Sequence, residues 1–294
     1  MSKAALRENL AAYMFIGPML LGVSVLVFFP VMTTIILSFT DWNFVAGLDN
    51  VNFIGLDNFK ELFQDDIFLV SIKNNMILML VVPIGMSISL LLAVLINKQV
   101  YFKDFFKVVY FMPYISSVVA VAVVFQVLFH PSYGPINQFL ISIGIEHPPK
   151  WLSDVNFALP SVMMILVWIQ IGFQLIIYLA GLQNIPQDLY EAADIDGANA
   201  WGKFRHITLP MISSTSFFLL ITGIISTFKV FDLIAVLTSG GPSNSTSVTV
   251  YYLYETAFLN LKSGYASAIA LVLLLFVFLI TLIQWYGQKK WVNY

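Results

Sequence analysis

The sequence predicts an all-α, polytopic membrane protein: six transmembrane helices, one helical loop on the cytoplasmic side, and a single transmembrane domain over 1–294. Three observations predict it. Of the residues, 59% are hydrophobic and only 10% charged, with a mean hydropathy of +0.87, against roughly 25% charged in ordinary globular domains. Apolar runs of about 20 residues recur, the length that crosses a hydrocarbon core. The basic residues also fall unevenly between the connecting loops, as they do when a membrane fixes the orientation of a chain.

The first span covers 13–38. Lys3 and Arg7 precede it as in a signal peptide, but the apolar run passes Val25 with no small-residue cleavage site, so it is expected to remain uncleaved. The others are expected at 76–96, 107–129, 158–181, 209–237 and 265–286. Pro18, Pro83 and Pro113 interrupt helical hydrogen bonding inside spans, which packed bundles tolerate. With the amino terminus inside, nine of the fourteen basic residues lie in the cytoplasm: Lys3, Arg7, Lys98, Lys103, Lys107, Lys203, Arg205, Lys289 and Lys290. Lys60, Lys73, Lys150 and Lys262 lie outside, and Lys229 falls within the fifth span. Both termini are therefore expected in the cytoplasm. The aromatic stretches "DWNF" (41–44) and "YYLYE" (251–255) are expected as anchors at the outer interface.

Several kinds of chemistry find no residues to perform them. There are no cysteines, so no disulfide, thiolate nucleophile or Cys-based metal site. His130, His147 and His206 are scattered, and neither H-E-x-x-H nor G-x-S-x-G occurs. No enzyme activity, metal or cofactor is expected; a net charge of −2 argues neither for nor against nucleic acid, and no nucleic-acid partner is expected.

The longest inner connection, 182–208, is expected to be a bent helical hairpin. Pro186 suits a first helical turn, with Asp188 and Glu191 near its positive end. Gly197 stops the run "QDLYEAADID", and "NAWGKFRH" can form a second short helix. The segment "GANAWGKF" (197–204) has the G-x-x-x-x-G-K spacing of a phosphate loop, but Phe204 stands where Mg²⁺ needs a hydroxyl. A polar helical segment precedes it in place of a buried strand, and "ITLP" follows it, so it cannot cradle ATP.

The same loop carries another pattern: Glu191-Ala192-Ala193, three residues, Gly197, nine residues, Ile207, one residue, Leu209-Pro210. This resembles the cytoplasmic coupling loop of binding-protein-dependent ABC importer permeases. "FIGLDNF" (53–59), "FMPYISSVVAVAVVFQVLF" (111–129), "AGLQNIPQDLYEAADIDGA" (180–198) and "FKVFDLIAVLTSGGP" (228–242) extend the resemblance over nearly the whole chain, to carbohydrate-uptake permeases of the maltose-transporter type. The resemblance implies a subunit in a bacterial cytoplasmic membrane that forms a heterodimer with a second, related permease. Two separate ATPase subunits and an extracytoplasmic sugar-binding protein would complete the assembly, surrounded by membrane lipid. It places Glu191, Ala192, Ala193, Asp196 and Gly197 at the contact with the ATPase. Small Ala192 and Ala193 let another surface approach the backbone, Glu191 offers a carboxylate, and Gly197 permits a sharp bend.

A sugar path needs hydrogen-bonding groups and flat apolar faces near the bilayer midplane. In the resembled family the fourth and fifth spans line the cavity. Positions 223, 226, 227 and 230 share one helical stripe, so Gly223, Ser226, Thr227 and Val230 are expected to face Gln170 and Phe173 across it. Lys229 and Asp232, three apart, are expected to pair, because an unpaired charge at membrane depth costs at least ~2.5–3.5 kcal/mol. That pairing would leave no base for a phosphate and favours a neutral sugar over glycerol 3-phosphate, which permeases of the same group carry. A secondary transporter working without ATP is the other alternative, and it would have no use for a coupling loop.

Overall fold

The computed structural model describes residues 3–47, 51–97 and 101–289; Lys98 and Lys290 lie outside them. The regular secondary structure of the described residues is all helical, apart from one isolated β-bridge between Thr40 and Phe53. Four helices are long and apolar enough to cross a membrane: Ala12–Leu37, Asp66–Asn97, Ala158–Gln183 and Ser263–Gln288. Two bent pairs, Lys103–Ile115 with Val118–Leu128 and Ala200–Met211 with Ser213–Thr227, bring the number to six if each pair is one span.

The expected spans are recognisable, with three differences. The second helix starts at Asp66, ten residues early, because Lys73, Asn74 and Asn75 depress the local hydropathy yet sit within the helix. The third turns by 95° at Ser116 and Ser117, whose ψ values of 152° and 123° are extended. The fifth turns by 62° at Ile212 and ends at Thr227. A separate short helix, Asp232–Leu237, follows. The helix beginning at Ala200 also runs through Pro210 to Met211. A π-helical turn, Phe204–Thr208, precedes that proline and shifts the hydrogen-bond ladder where Pro210 has no N–H to give.

Contacts divide the chain into two compact units, Met1–Asp65 with Leu253–Leu274, and Asp66–Tyr252 with Leu275–Tyr294. In the first, Asn58 of the "FIGLDNF" stretch is buried. Its amide donates to the carbonyls of Ser38 and Thr40 at 2.9 and 2.8 Å, caught where the first span ends. Asp41 accepts from the backbone N–H and the side-chain amide of Asn52, and those bonds hold its carboxyl below the usual aspartate range.

In the second unit the second and fourth spans pack along their apolar faces. Leu90, Ala93, Leu175, Tyr178, Leu179 and Leu182 form one buried cluster; Leu78, Val81, Val162, Ile165, Leu166 and Ile234 belong to another. At one end of this unit, Asn75 is fully buried. Its carbonyl oxygen accepts from the N–H and hydroxyl of Thr249 at 2.9 and 2.8 Å, and its amide donates to the Thr227 carbonyl at 3.4 Å. Asn74 donates to the carbonyls of Asn244 and Ser247. The expected "YYLYE" anchors are partly corrected here: Tyr251 and Tyr252 are buried, and Tyr251 stacks on Phe231 inside the core.

Candidate functional site

The loop between the fourth and fifth spans folds as a closed hairpin. Its first helix, Gln187–Ile195, ends in a Schellman motif: Ala198 N–H donates to Ala193 O at 2.8 Å and Gly197 N–H to Asp194 O at 3.1 Å. That turn requires the left-handed φ of +74° at Gly197, which is why glycine stands there. The second helix is capped by Asn199, whose side chain accepts from Gly202 N–H. Two contacts tie the arms together, an ion pair between Lys203 and Asp194 and a hydrogen bond of 2.9 Å between the hydroxyls of Tyr190 and Thr208. Lys203 is thereby committed to a neighbouring carboxylate, far from the role of a phosphate-loop lysine.

One face of the hairpin is left uncovered. Glu191, Ala192, Asp196 and Gly197 are exposed, Ala193 is half-buried, and Ile195 is 88% exposed. Asp188, Glu191, Ala192 and Ile195 follow i, i+3, i+4, i+7 spacing and so form one stripe.

A second feature lies between the fourth and fifth spans. A cleft of about 220 Å³ is lined by Gln170 and Phe173 on one side and Gly223 and Ser226 on the other, together with Tyr114, Gln174, Leu219 and Thr222. Gln170 lies twelve residues into a helix that starts at Ala158, or about 18 Å along it at 1.5 Å per residue. Tyr114 stacks on Phe173 with centroids 5.0 Å apart and 20° between planes. Among the described residues, no charged side chain lines the cleft.

Residues 82–291 match the family described as "Binding-protein-dependent transport system inner membrane component". The chain belongs to this family. The permease is 33% identical over 279 residues to a probable ABC transporter permease of Pyrococcus horikoshii, covering 94% of this chain and 95% of that one. It is 31% identical over 297 residues to the lactose transport system permease of Rhizobium radiobacter, covering 98% of each. With the sn-glycerol-3-phosphate transport system permease of Pectobacterium atrosepticum it shares 32% over 299 residues, covering 100% of this chain and 99% of the relative. Among solved structures it superposes on a chain of a bacterial alginate ABC transporter in complex with an alginate pentasaccharide-bound periplasmic protein. The TM-score is 0.84 at 25% identity, over 98% of this chain and 96% of that one.

The structure brings together four of the six path residues that the sequence of the permease suggests and removes two. Thr227 is fully buried, its hydroxyl donating to Ile224 O at 2.7 Å. Val230 packs against the core, beyond the end of the helix. The helical stripe stops where the helix does. Gly223 lines the cleft, but a Cβ there would lie 2.7 Å from Val82 Cγ1, so any side chain at 223 forces the Val82 side chain of the second span to shift.

The proposed Lys229–Asp232 pair is also corrected. The i, i+3 relation needs a continuous helix, and the chain is non-helical from Phe228 to Phe231. Both side chains are exposed, and no ion pair joins them among the described residues.

Tyr114 is one of the lining residues that sequence reasoning missed. Its signal was its place beside Pro113 in "FMPYISS", just before the elbow of the third span.

Proposed function

We propose that this chain is one of two related permease subunits of an ATP-driven sugar importer in a bacterial cytoplasmic membrane. Both termini face the cytoplasm, and ATP is hydrolysed by two separate subunits that dock on the exposed hairpin face. An extracytoplasmic binding protein delivers the sugar. The observation that carries the coupling role is the hairpin itself. It is closed by a Schellman turn, an ion pair and a part-buried hydroxyl contact, and it presents a small, acidic and apolar stripe. A lever needs that combination of stiffness and close approach. Glu191 offers a carboxylate to a basic group, Ala192 lets the partner reach the backbone, and Ile195 supplies apolar area.

The cleft supports a neutral sugar as cargo. Gln170 and Ser226 offer hydrogen bonds, and the Tyr114–Phe173 stack offers a flat face to ring C–H groups. Its volume of about 220 Å³ falls below the ~300–1,000 Å³ of complete ligand pockets, as suits one wall of a path shared with a second subunit. A second reading, sn-glycerol 3-phosphate as cargo, is favoured by the unpaired amine of Lys229, three residues past Ser226. The lactose, arabinooligosaccharide and glycerol-3-phosphate systems of the relatives span both cargo classes.

Reconstituted vesicles containing both permeases, the ATPase and the binding protein provide the test. ATP-dependent uptake of a neutral oligosaccharide, lost in Glu191→Ala with the assembly intact, is the expected result. Uptake without ATP would establish the secondary transporter instead, and uptake of sn-glycerol 3-phosphate alone would establish the second reading.

A further inference from the structure

A larger cavity, of about 700 Å³, lies away from the cleft, between Val123–Pro131 and the 236–242 segment that carries Ser239-Gly240-Gly241-Pro242. We infer that it is a second carbohydrate subsite, on which sugar rests before descending to the cleft between the fourth and fifth spans. This rests on the sugar-importer reading above.

Its position comes from the fourth span. Leu152 and Ser153 line the cavity and stand six and five positions before the helix that starts at Ala158. Gln170 and Phe173 lie twelve to fifteen residues further along, about 18–22 Å deeper at 1.5 Å per residue. The two sites are therefore at different depths, this one at the membrane surface opposite to the coupling hairpin.

Its chemistry fits a polyol with apolar ring faces. The rings of His130 and Tyr133 stack with centroids 3.4 Å apart and 15° between planes, and Tyr133 is 64% exposed. One face of the pair is thus open as a platform. Nδ1 of His130 accepts from the backbone N–H groups of Ser132 and Tyr133 at 3.3 and 3.5 Å. The ring proton therefore sits on Nε2, which remains free to donate. Gln126 gives its amide hydrogens to the carbonyls of Val236 and Leu237, which fixes the side chain and leaves its carbonyl oxygen to accept. A donor, an acceptor and a flat ring, each held by its own backbone contacts, make a preorganised sugar site. Behind them, buried Phe129 stacks on Trp151 at 5.0 Å, and the Trp151 indole N–H donates to Asn137 at 2.6 Å, so the floor is rigid. Among the described residues, no lysine, arginine, aspartate or glutamate lines the cavity, which fits a neutral ligand.

The test uses the complete transporter in nanodiscs, with Ser239→Cys or Ser226→Cys as the only cysteine of this chain and a water-soluble thiol reagent. Lactose, maltotriose and arabinotriose are the probes. At millimolar concentration the transported probe should slow labelling of Ser239→Cys about fivefold or more, as one stacking contact and one hydrogen bond together imply. Tyr133→Ala should remove that protection, and Tyr133→Trp should keep it. Tyr133 is exposed enough for both to fold. Protection at Ser226→Cys without protection at Ser239→Cys would overturn the outer subsite and leave the sugar path standing. Protection of Ser239→Cys that depends on the binding protein and not on sugar would make the cavity a protein contact, which also overturns it. If no probe is taken up and neither cysteine is protected, the sugar-importer reading fails, and this subsite with it.

Discussion

At Gly197 a Cβ would meet nothing within 4 Å, yet φ is +74°. Substitution there costs backbone strain and no steric clash, roughly 1–2 kcal/mol for an ordinary L-residue and less for asparagine. Gly197→Ala should therefore loosen the Schellman turn and lower the sugar moved per ATP, while Gly197→Asn should keep most of it. Radiolabelled uptake measured alongside phosphate release checks this; equal ratios for the alanine variant and the parent would refute it. Asn75 makes a harder demand. Asn75→Leu would leave the Thr249 N–H and hydroxyl without their acceptor in a fully buried place, at roughly 1–3 kcal/mol for each orphaned group. A clear fall in the melting temperature of the purified assembly is expected. Lys229 and Asp232, exposed and unpaired, should behave as strangers. Lys229→Met and Asp232→Leu should combine additively within ~0.5 kcal/mol in a double-mutant cycle.

Among the elements, the hairpin owes its stiffness to few contacts of unequal weight. The Lys203–Asp194 pair has a 63% exposed carboxylate, so solvent screening limits it to about 0–1 kcal/mol. Tyr190 does more, packing against the cluster of Leu179, Leu182 and Ile212 while bonding Thr208. Tyr190→Phe should cost roughly 0.5–1.5 kcal/mol and leave uptake near normal. Tyr190→Ala also removes the ring and should uncouple ATP hydrolysis from uptake, with hydrogen exchange over 187–211 reporting the loosened arms. Unchanged exchange in the alanine variant would mean that the hairpin is held by something else. The hairpin was legible because its signals are local: a proline entry, a glycine stop and a fixed spacing within twenty residues. The elbow at Ser116 and Ser117 was not, since serines in an apolar run lower its hydropathy too little to mark a break.

Over the molecule as a whole, the path hypothesis reduces to which side chains water can reach. The chain has no native cysteine, so single introduced cysteines report cleanly. Gln170→Cys and Ser226→Cys should react with a water-soluble thiol reagent, whereas Thr227→Cys, at a position with no exposure, should not. Rapid labelling at 227 would put the path on another face of the fifth span. Ser226→Trp should fill the cleft and stop uptake, while hydrolysis stimulated by the loaded binding protein continues, because the hairpin is untouched.

The sequence by itself determined the approximate place of the apolar segments, the family, and the shape of the hairpin between the fourth and fifth spans. Each depends on sums or spacings along some twenty consecutive residues, and hydropathy and turn chemistry act at that range. Only the tertiary structure decided which face of the fifth span meets the cleft, that Lys229 and Asp232 stand apart, and that Asn74, Asn75, Tyr251 and Tyr252 are core residues. Asn75 reads as a surface polar group until Thr249, 174 positions away, supplies the partners that make its burial affordable. A polar side chain carries no mark of its distant partner, so its burial is settled when the helices pack.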